Sequence, residues 1–354
     1  MPVEGGVGGP SGNPIFDRPE DWSCCWHCAN QEDELQLRQE LDELYAAFCA
    51  TLPAELQPVA RELPHRLRIA PAATVPWSKV FVDEVTFAAP AFFAQAMPQI
   101  SPAPVREAVM AHAFAVIDAL GTDRIERGEI QHSPELEEVL RRIRQASEGA
   151  LVRVAGKLAD DGANYPNVPR SMRQAMLAGR RIMAERAFVD FDVYEATALG
   201  KAGNRTAASV ALARTAGWSV AECSAVAKTL DSTWLGLQYH DDVIDWEDDV
   251  KRDSSWAVRL ALSCTLGGGH EPLEVGETRT MVLESGILAR MLRRSARHFR
   301  AARKRAEALG ARELATWASK KEEHATYLEQ QERRNSGYAV RLHALSPWVA
   351  HVLS

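Results

Sequence analysis

The sequence predicts an all-α protein: a single large helical bundle of the kind that encloses a central cavity, preceded by a short flexible lead. Three observations predict it. Apolar residues recur at close to 3.6-residue spacing through most of the chain. Ala, Leu, Arg and Glu, all good helix formers, dominate the segments between prolines. No stretch alternates apolar and polar residues with the Val/Ile/Thr enrichment that strands need. The 354 residues, 46% hydrophobic and 25% charged, are enough for one large core.

Residues 1–30 are rich in Gly, Pro and polar residues and read as a flexible N-terminal segment. Within them Cys24, Cys25, His27 and Cys28 crowd into CCWHC. Structural zinc takes two separated ligand pairs so that a loop wraps the ion. No second pair follows, so these read as ordinary thiols. The helical domain covers 31–354. Its first helix, from Gln31, carries Leu35, Leu37, Leu41, Leu44, Tyr45 and Phe48 near a helical period. Prolines from Pro64 to Pro169 mark the next boundaries. Helices are expected at about 77–97, 103–119, 134–160, 168–200, 203–216, 219–250, 253–264, 276–309 and 311–346. Residues 265–278, with GGGHEPLEVGE, read as a loop.

The net charge of −7 and pI of about 5.9 argue against a nucleic-acid partner, which would need a basic face. No apolar run reaches the roughly 18–20 residues of a membrane span. No basic start followed by an apolar block marks a signal peptide. Six irregularly placed cysteines form no disulfide framework, so a reducing, cytoplasmic setting is expected.

The chemistry concentrates in Trp234–Arg252, WLGLQYHDDVIDWEDDVKR. At about 100° per residue, Trp234, Gln238, Asp241, Asp245 and Asp248 share one narrow stripe, with Asp242 and Asp249 about 100° away. Stacked carboxylates beside apolar residues suit oxygen ligands for a hard cation. Mg²⁺ takes one or two carboxylates, several waters and substrate phosphate oxygens. A solvated acidic helix face is the other reading of the same spacing.

Gln238, Asp241, Asp242 and Asp245 form Q-x-x-D-D-x-x-D, which resembles the second aspartate-rich motif of trans-prenyl diphosphate synthases, in the class I isoprenoid (terpenoid) synthase superfamily. Asp249 and Lys251 extend the likeness loosely. The segment AFVDFDVYEATALGKAGNRTAASVALARTAG resembles the family's helix bearing a Lys-Thr pair that contacts diphosphate. Lys201 takes the lysine and Ala202 replaces the threonine. Tyr194, Thr197, Lys201, Arg205 and Ala208 share one stripe there. The resemblance implies Asp241, Asp242 and Asp245 as Mg²⁺ ligands, and Lys201, Arg205, Gln238 and Lys251 as substrate contacts. Asp241, Asp245 and Lys201 would carry catalysis. It also suggests a homodimer.

The first aspartate motif, D-D-x-x-D-x-x-x-x-R-R-G in the family, reads IDALGTDRIERG from Ile117 to Gly128. Asp118 is the remaining metal ligand on that side; Ile117 and Gly121 replace the other two aspartates. Asp123 is a poor substitute unless the helix breaks at Gly121. The basic segment for a second diphosphate has only a faint counterpart in His65, Arg66 and Arg68, and no N-D-x-x-S-x-x-x-E motif is convincing. Chain elongation needs two diphosphate sites, whereas a cyclase needs one and a dry cavity that holds a carbocation. The expected function is therefore a Mg²⁺-dependent terpene synthase that ionises an allylic prenyl diphosphate, then cyclises or quenches the cation. A prenyltransferase is the second reading and a non-catalytic subunit the third. Phe87, Phe92, Phe93, Phe114, Phe188, Phe191, Tyr194 and Trp234 fall on segments that would line the cavity. Of these, Tyr194, Trp234 and Phe114 are the expected substrate contacts. Arg180, Arg181, Arg186, Arg333, Arg334 and Arg341 stand in reserve for diphosphate.

Overall fold

A computed structural model describes residues 31–353 apart from 82, 127, 157–167, 186, 203, 252–253 and 267–274. The CCWHC cluster, Arg127, Arg186 and most of the expected 265–278 loop lie outside the described residues. Among those described, every regular element is a helix.

The N-terminal third packs α1 (Gln31–Thr51) over three short helices, α2 (Gln57–Arg61), α3 (Leu63–Arg66) and α4 (Trp77–Val80), and over α5 (Glu84–Ala94). The expected 77–97 helix is broken between Val80 and Glu84, and Pro90 lies inside α5, where Ala88 leaves helical geometry. Two long antiparallel helices follow, α6 (Pro102–Glu126) and α7 (Pro134–Ala155). Ser133 caps α7 by accepting from the Leu136 N–H at 3.2 Å. The next helices are α8 (Val168–Ala184), α9 (Phe191–Ala202), α10 (Asn204–Thr215) and α11 (Val220–Ile244). The chain ends in α12 (Trp246–Lys251), α13 (Trp256–Leu266), α14 (Val275–Ser285), α15 (Ile287–Leu309) and α16 (Arg312–Leu353). The expected 276–309 helix is split by Gly286, whose φ of 62° only glycine adopts freely.

The centre is α11, packed against α10 and α15. A capping box between Ser219 and Glu222 starts it. Its inward positions Val226, Leu230 and Trp234 are buried among residues of α5, α6, α10 and α15. Gly236 lets α15 approach closely: a Cβ there would lie 2.8 Å from the Phe299 ring, and the Ser295 hydroxyl donates to the Gly236 carbonyl at 2.7 Å. A buried ion pair ties the two ends of the chain: Lys321 Nζ lies 3.0 Å from Asp83, which also accepts from the Trp317 indole at 3.0 Å. No described helix is long and apolar enough to cross a membrane.

Candidate active site

Helix α11 delivers its carboxylates at its C-terminal end. Asp245 is the C-cap, at φ −92° and ψ 4°, with its N–H still bonded to the Asp241 carbonyl at 2.9 Å. The helix therefore jogs rather than runs on to 250 as the spacing predicts. Asp241 and Asp245 are exposed, while Asp242 is buried. Both Asp242 oxygens are held: the Tyr194 hydroxyl donates to Oδ2 at 2.5 Å and the Gln238 amide to Oδ1 at 3.0 Å. Tyr194 is 1% exposed, against Tyr239 at 4.5 Å and edge-on to Trp256 at 5.3 Å. Expected as a cavity-lining ring, it is instead a strut that fixes one carboxylate.

The aspartates strain against one another. Asp241 opens to solvent at one side but is otherwise surrounded by protein. This desolvation, with the charges of Asp242, Asp245 and Asp249, pushes its carboxyl up to about 7, against the pull of Arg205. Burial pushes Asp242 up to about 6, while Tyr194, Lys201 and Gln238 favour its charged form. Burial and mutual repulsion both disfavour the fully charged set.

Two cations face it from the next helices. Lys201, in the last turn of α9, acts on Asp242, and its Nζ lies 6.0 Å from the Trp256 ring centre. Gly179 of α8 lies alongside it: a Cβ there would sit 3.5 Å from Lys201 Cε, in ordinary van der Waals contact. Arg205, in the first turn of α10, lays its guanidinium over Trp234 at 4.5 Å. Its Nε is buried with no hydrogen-bond partner. Burial lowers its pKa to about 10, and the charges of Asp241 and Asp123 hold it up. Trp234 in turn stacks on buried His112 at 6.2 Å. The sequence stripe Tyr194–Lys201–Arg205 thus spans two helices and still meets the aspartates.

Helix α6 sets its expected metal ligand, Asp118, into packing and an ion pair. Ile117 is fully buried. Asp118, expected as a metal ligand, is 3% exposed and takes a two-point bond from Arg144 of α7, at 2.8 Å from Nε and 2.9 Å from a terminal nitrogen. Leu140 of α7 packs over Gly121: a Cβ there would lie 2.5 Å from Leu140 Cδ2, so a side chain at this position would have to displace the leucine. The helix does not break at Gly121 but runs to Glu126. Asp123 nonetheless comes within the field of Arg205.

Other sequence candidates lie elsewhere. Lys251 is exposed and pairs with Asp248 at 2.6 Å. Phe114 is fully buried against Phe48 at 5.1 Å and Tyr45 at 6.0 Å, in the N-terminal core rather than beside the aspartates. Phe188 is 55% exposed. Arg180 pairs with Glu126, Arg181 with Glu185 and Arg333 with Glu329. Arg144 and His112 pass unremarked in the sequence, where their only signal is polarity among helix neighbours, and Asp123 reads there only as a poor substitute for a motif aspartate.

Among the described residues, no three His, Cys, Asp or Glu side chains stand close enough to enclose a metal ion by themselves. The exposed pair Asp241 and Asp245, one turn apart and repelling each other, does fit a hard cation completed by water and phosphate oxygens.

No protein-family model matches the sequence, and no curated protein matches it. Solved structures do match. A polyprenyl synthetase from Streptomyces coelicolor A3(2) superposes with a TM-score of 0.65 at 14% identity, covering 80% of this chain and 97% of that one. A polyprenyl synthase from Caulobacter crescentus CB15, complexed with calcium and isoprenyl diphosphate, gives 0.57 at 15% identity over 81% and 94%. A geranylgeranyl pyrophosphate synthase from Lactobacillus brevis gives 0.54 at 14% identity over 80% and 95%. The chain therefore has an all-helical, isoprenoid-synthase-like fold, shared over about four-fifths of its length with the polyprenyl synthases it matches.

Proposed function

We propose that this chain is a Mg²⁺-dependent class I terpene synthase acting on an allylic prenyl diphosphate. The observation that carries the reading is the facing of two charge sets: Asp241, Asp242 and Asp245 on one side, Lys201 and Arg205 on the other. A bound Mg²⁺ supplies charge that stabilises a pyrophosphate leaving group. Asp241 and Asp245 would hold it, and Asp242, braced by Tyr194 and Gln238, adds a fixed charge beneath. Lys201 and Arg205 neutralise phosphate oxygens as the carbon–oxygen bond breaks and its electron pair leaves with pyrophosphate. The allylic carbocation that remains then loses a proton after cyclising, or takes water. A single grip of this kind serves one diphosphate.

A prenyltransferase is the second reading, favoured by the names of the matched structures, which are prenyl diphosphate synthases. Incubation with Mg²⁺ and geranyl, farnesyl, geranylgeranyl or geranylfarnesyl diphosphate, with and without isopentenyl diphosphate, separates the two. A hydrocarbon or alcohol from one substrate alone supports the synthase. A longer diphosphate formed only with the second substrate overturns it in favour of the transferase. Silence from the wild type across the panel, indistinguishable from Asp241→Ala, overturns both and leaves a non-catalytic subunit of the same fold. A homodimer fits either enzyme and is read from the sedimentation of the purified chain.

A further inference from the structure

Helix α6 is the feature that the proposed chemistry leaves unexplained. Its acidic position is not simply depleted; it is rebuilt as packing. Asp118 is buried and gripped at two points by Arg144, with Thr122 hydroxyl contacts at 3.5 Å to both. Ile117 is buried in the same core as Leu140, whose side chain packs over Gly121. A carboxylate bound bidentately by a guanidinium has its charge neutralised and its orientation fixed. Drawing it toward a metal would strand a half-buried arginine, which costs more than an exposed ion pair would.

The compensating charge sits one helix away. Arg205 is seated on Trp234, its Nε has no partner inside the protein, and it lies in the fields of Asp241 on α11 and Asp123 on α6. A guanidinium carries its positive charge without recruiting any ion and binds phosphate oxygens in a forked geometry.

Building on the metal–diphosphate reading above, we propose that diphosphate is gripped by metal from the α11 side alone, with Arg205 the protein-borne cation at its other face and Asp118 a structural anchor that binds no metal. The diphosphate is thus held by fewer ions than a site with carboxylates on both helices would recruit.

The test counts bound Mn²⁺ by electron paramagnetic resonance on the full chain, with inorganic pyrophosphate as the probe, and measures pyrophosphate affinity by calorimetry. The expected result is that Asp118→Asn leaves the number of Mn²⁺ ions per bound pyrophosphate at the wild-type value. Because Asp118→Asn alone strands Arg144, the paired change Asp118→Leu with Arg144→Leu is measured beside it and gives the same count. Arg205→Gln keeps that count but weakens pyrophosphate binding by roughly 10- to 100-fold, the effect of losing a charge-assisted hydrogen bond. Arg205→Lys recovers part of the loss. Loss of a Mn²⁺ ion in the folded Asp118 variants overturns the proposal, as does an Arg205→Gln variant that binds like wild type. If instead Asp241→Asn binds Mn²⁺ and pyrophosphate unchanged, the underlying metal reading fails, and the proposal with it.

Discussion

Replacing Tyr194 with Phe removes one hydroxyl and leaves the ring against Tyr239 and Trp256. The lost contact is the 2.5 Å hydrogen bond to Asp242, which favours the charged carboxylate. A hydrogen bond to a charged group contributes about 1.5–3 kcal/mol, which at about 1.36 kcal/mol per unit is roughly one to two pKa units. Asp242, now held at about 6, moves to roughly 7–8. At pH 7 its ionised share then falls from about nine-tenths to between a half and a tenth. A cation beside it competes with that proton, so the Mg²⁺ dissociation constant at pH 7 rises roughly two- to tenfold. Near pH 9 both proteins are almost fully ionised and the affinities converge. Calorimetric Mg²⁺ titrations of wild type and Tyr194→Phe at pH 6, 7, 8 and 9 follow this directly. A deficit of equal size at every pH would refute the argument, because it would mean that the hydroxyl acts through packing rather than through the Asp242 proton.

The remaining predictions test other links. Lys201→Ala weakens pyrophosphate binding by about tenfold in calorimetry while leaving Tm within a degree or two, as a partly exposed cation near the site should. Gly236→Ala drives a methyl into the Phe299 ring and lowers stability by about 1–3 kcal/mol in urea unfolding. Asp83→Ala leaves Lys321 without its carboxylate at 3% exposure and costs about 3–5 kcal/mol, seen as a lower Tm. Asp241→Asn raises Tm of the metal-free protein at pH 8. Asp241 takes up its proton near pH 7 when folded but only near pH 4 when unfolded, so wild type gains stability from this group as pH falls between those values. The variant's advantage therefore shrinks toward pH 5, and a pH-independent difference would contradict the raised Asp241 pKa.

The helical architecture was legible because period and composition agree along most of the chain. The aspartate run drew attention because five aspartates fall within nine residues and resemble a family motif, although the spacing alone left a solvated acidic face equally open. What the spacing did not reveal is which face each acid meets. At 100° per residue Asp242 falls off the stripe of Asp241 and Asp245, yet it is the one that Tyr194 anchors from 48 positions away. The same limit hid the partner of Asp118, since Arg144 is 26 residues on, in the next helix. Gly121 gave no sign that a leucine would occupy the space of its missing side chain. Phe114 shows the reverse error: an aromatic at helical spacing does not say which of several cores it fills. The jog at Asp245 also escaped the periodicity, which continues smoothly across it.

The ends of the helices carry one more consequence. Helices α6, α9 and α11 each finish beside this group of side chains, at Glu126, Ala202 and Ile244. Asp123 and Asp241 meet at Arg205, and Lys201 acts on Asp242. A helix C-terminus carries the negative end of its macrodipole, about half a charge; the N-terminus of α10 at Asn204 offsets that of α9, so those of α6 and α11 add to the carboxylates already there. A bare diphosphate approaching this mouth is repelled over a distance set by the ionic strength. On the proposed reading the substrate arrives as its magnesium chelate or after the ion, and not before it. Free pyrophosphate in excess over metal should then slow association rather than saturate the site.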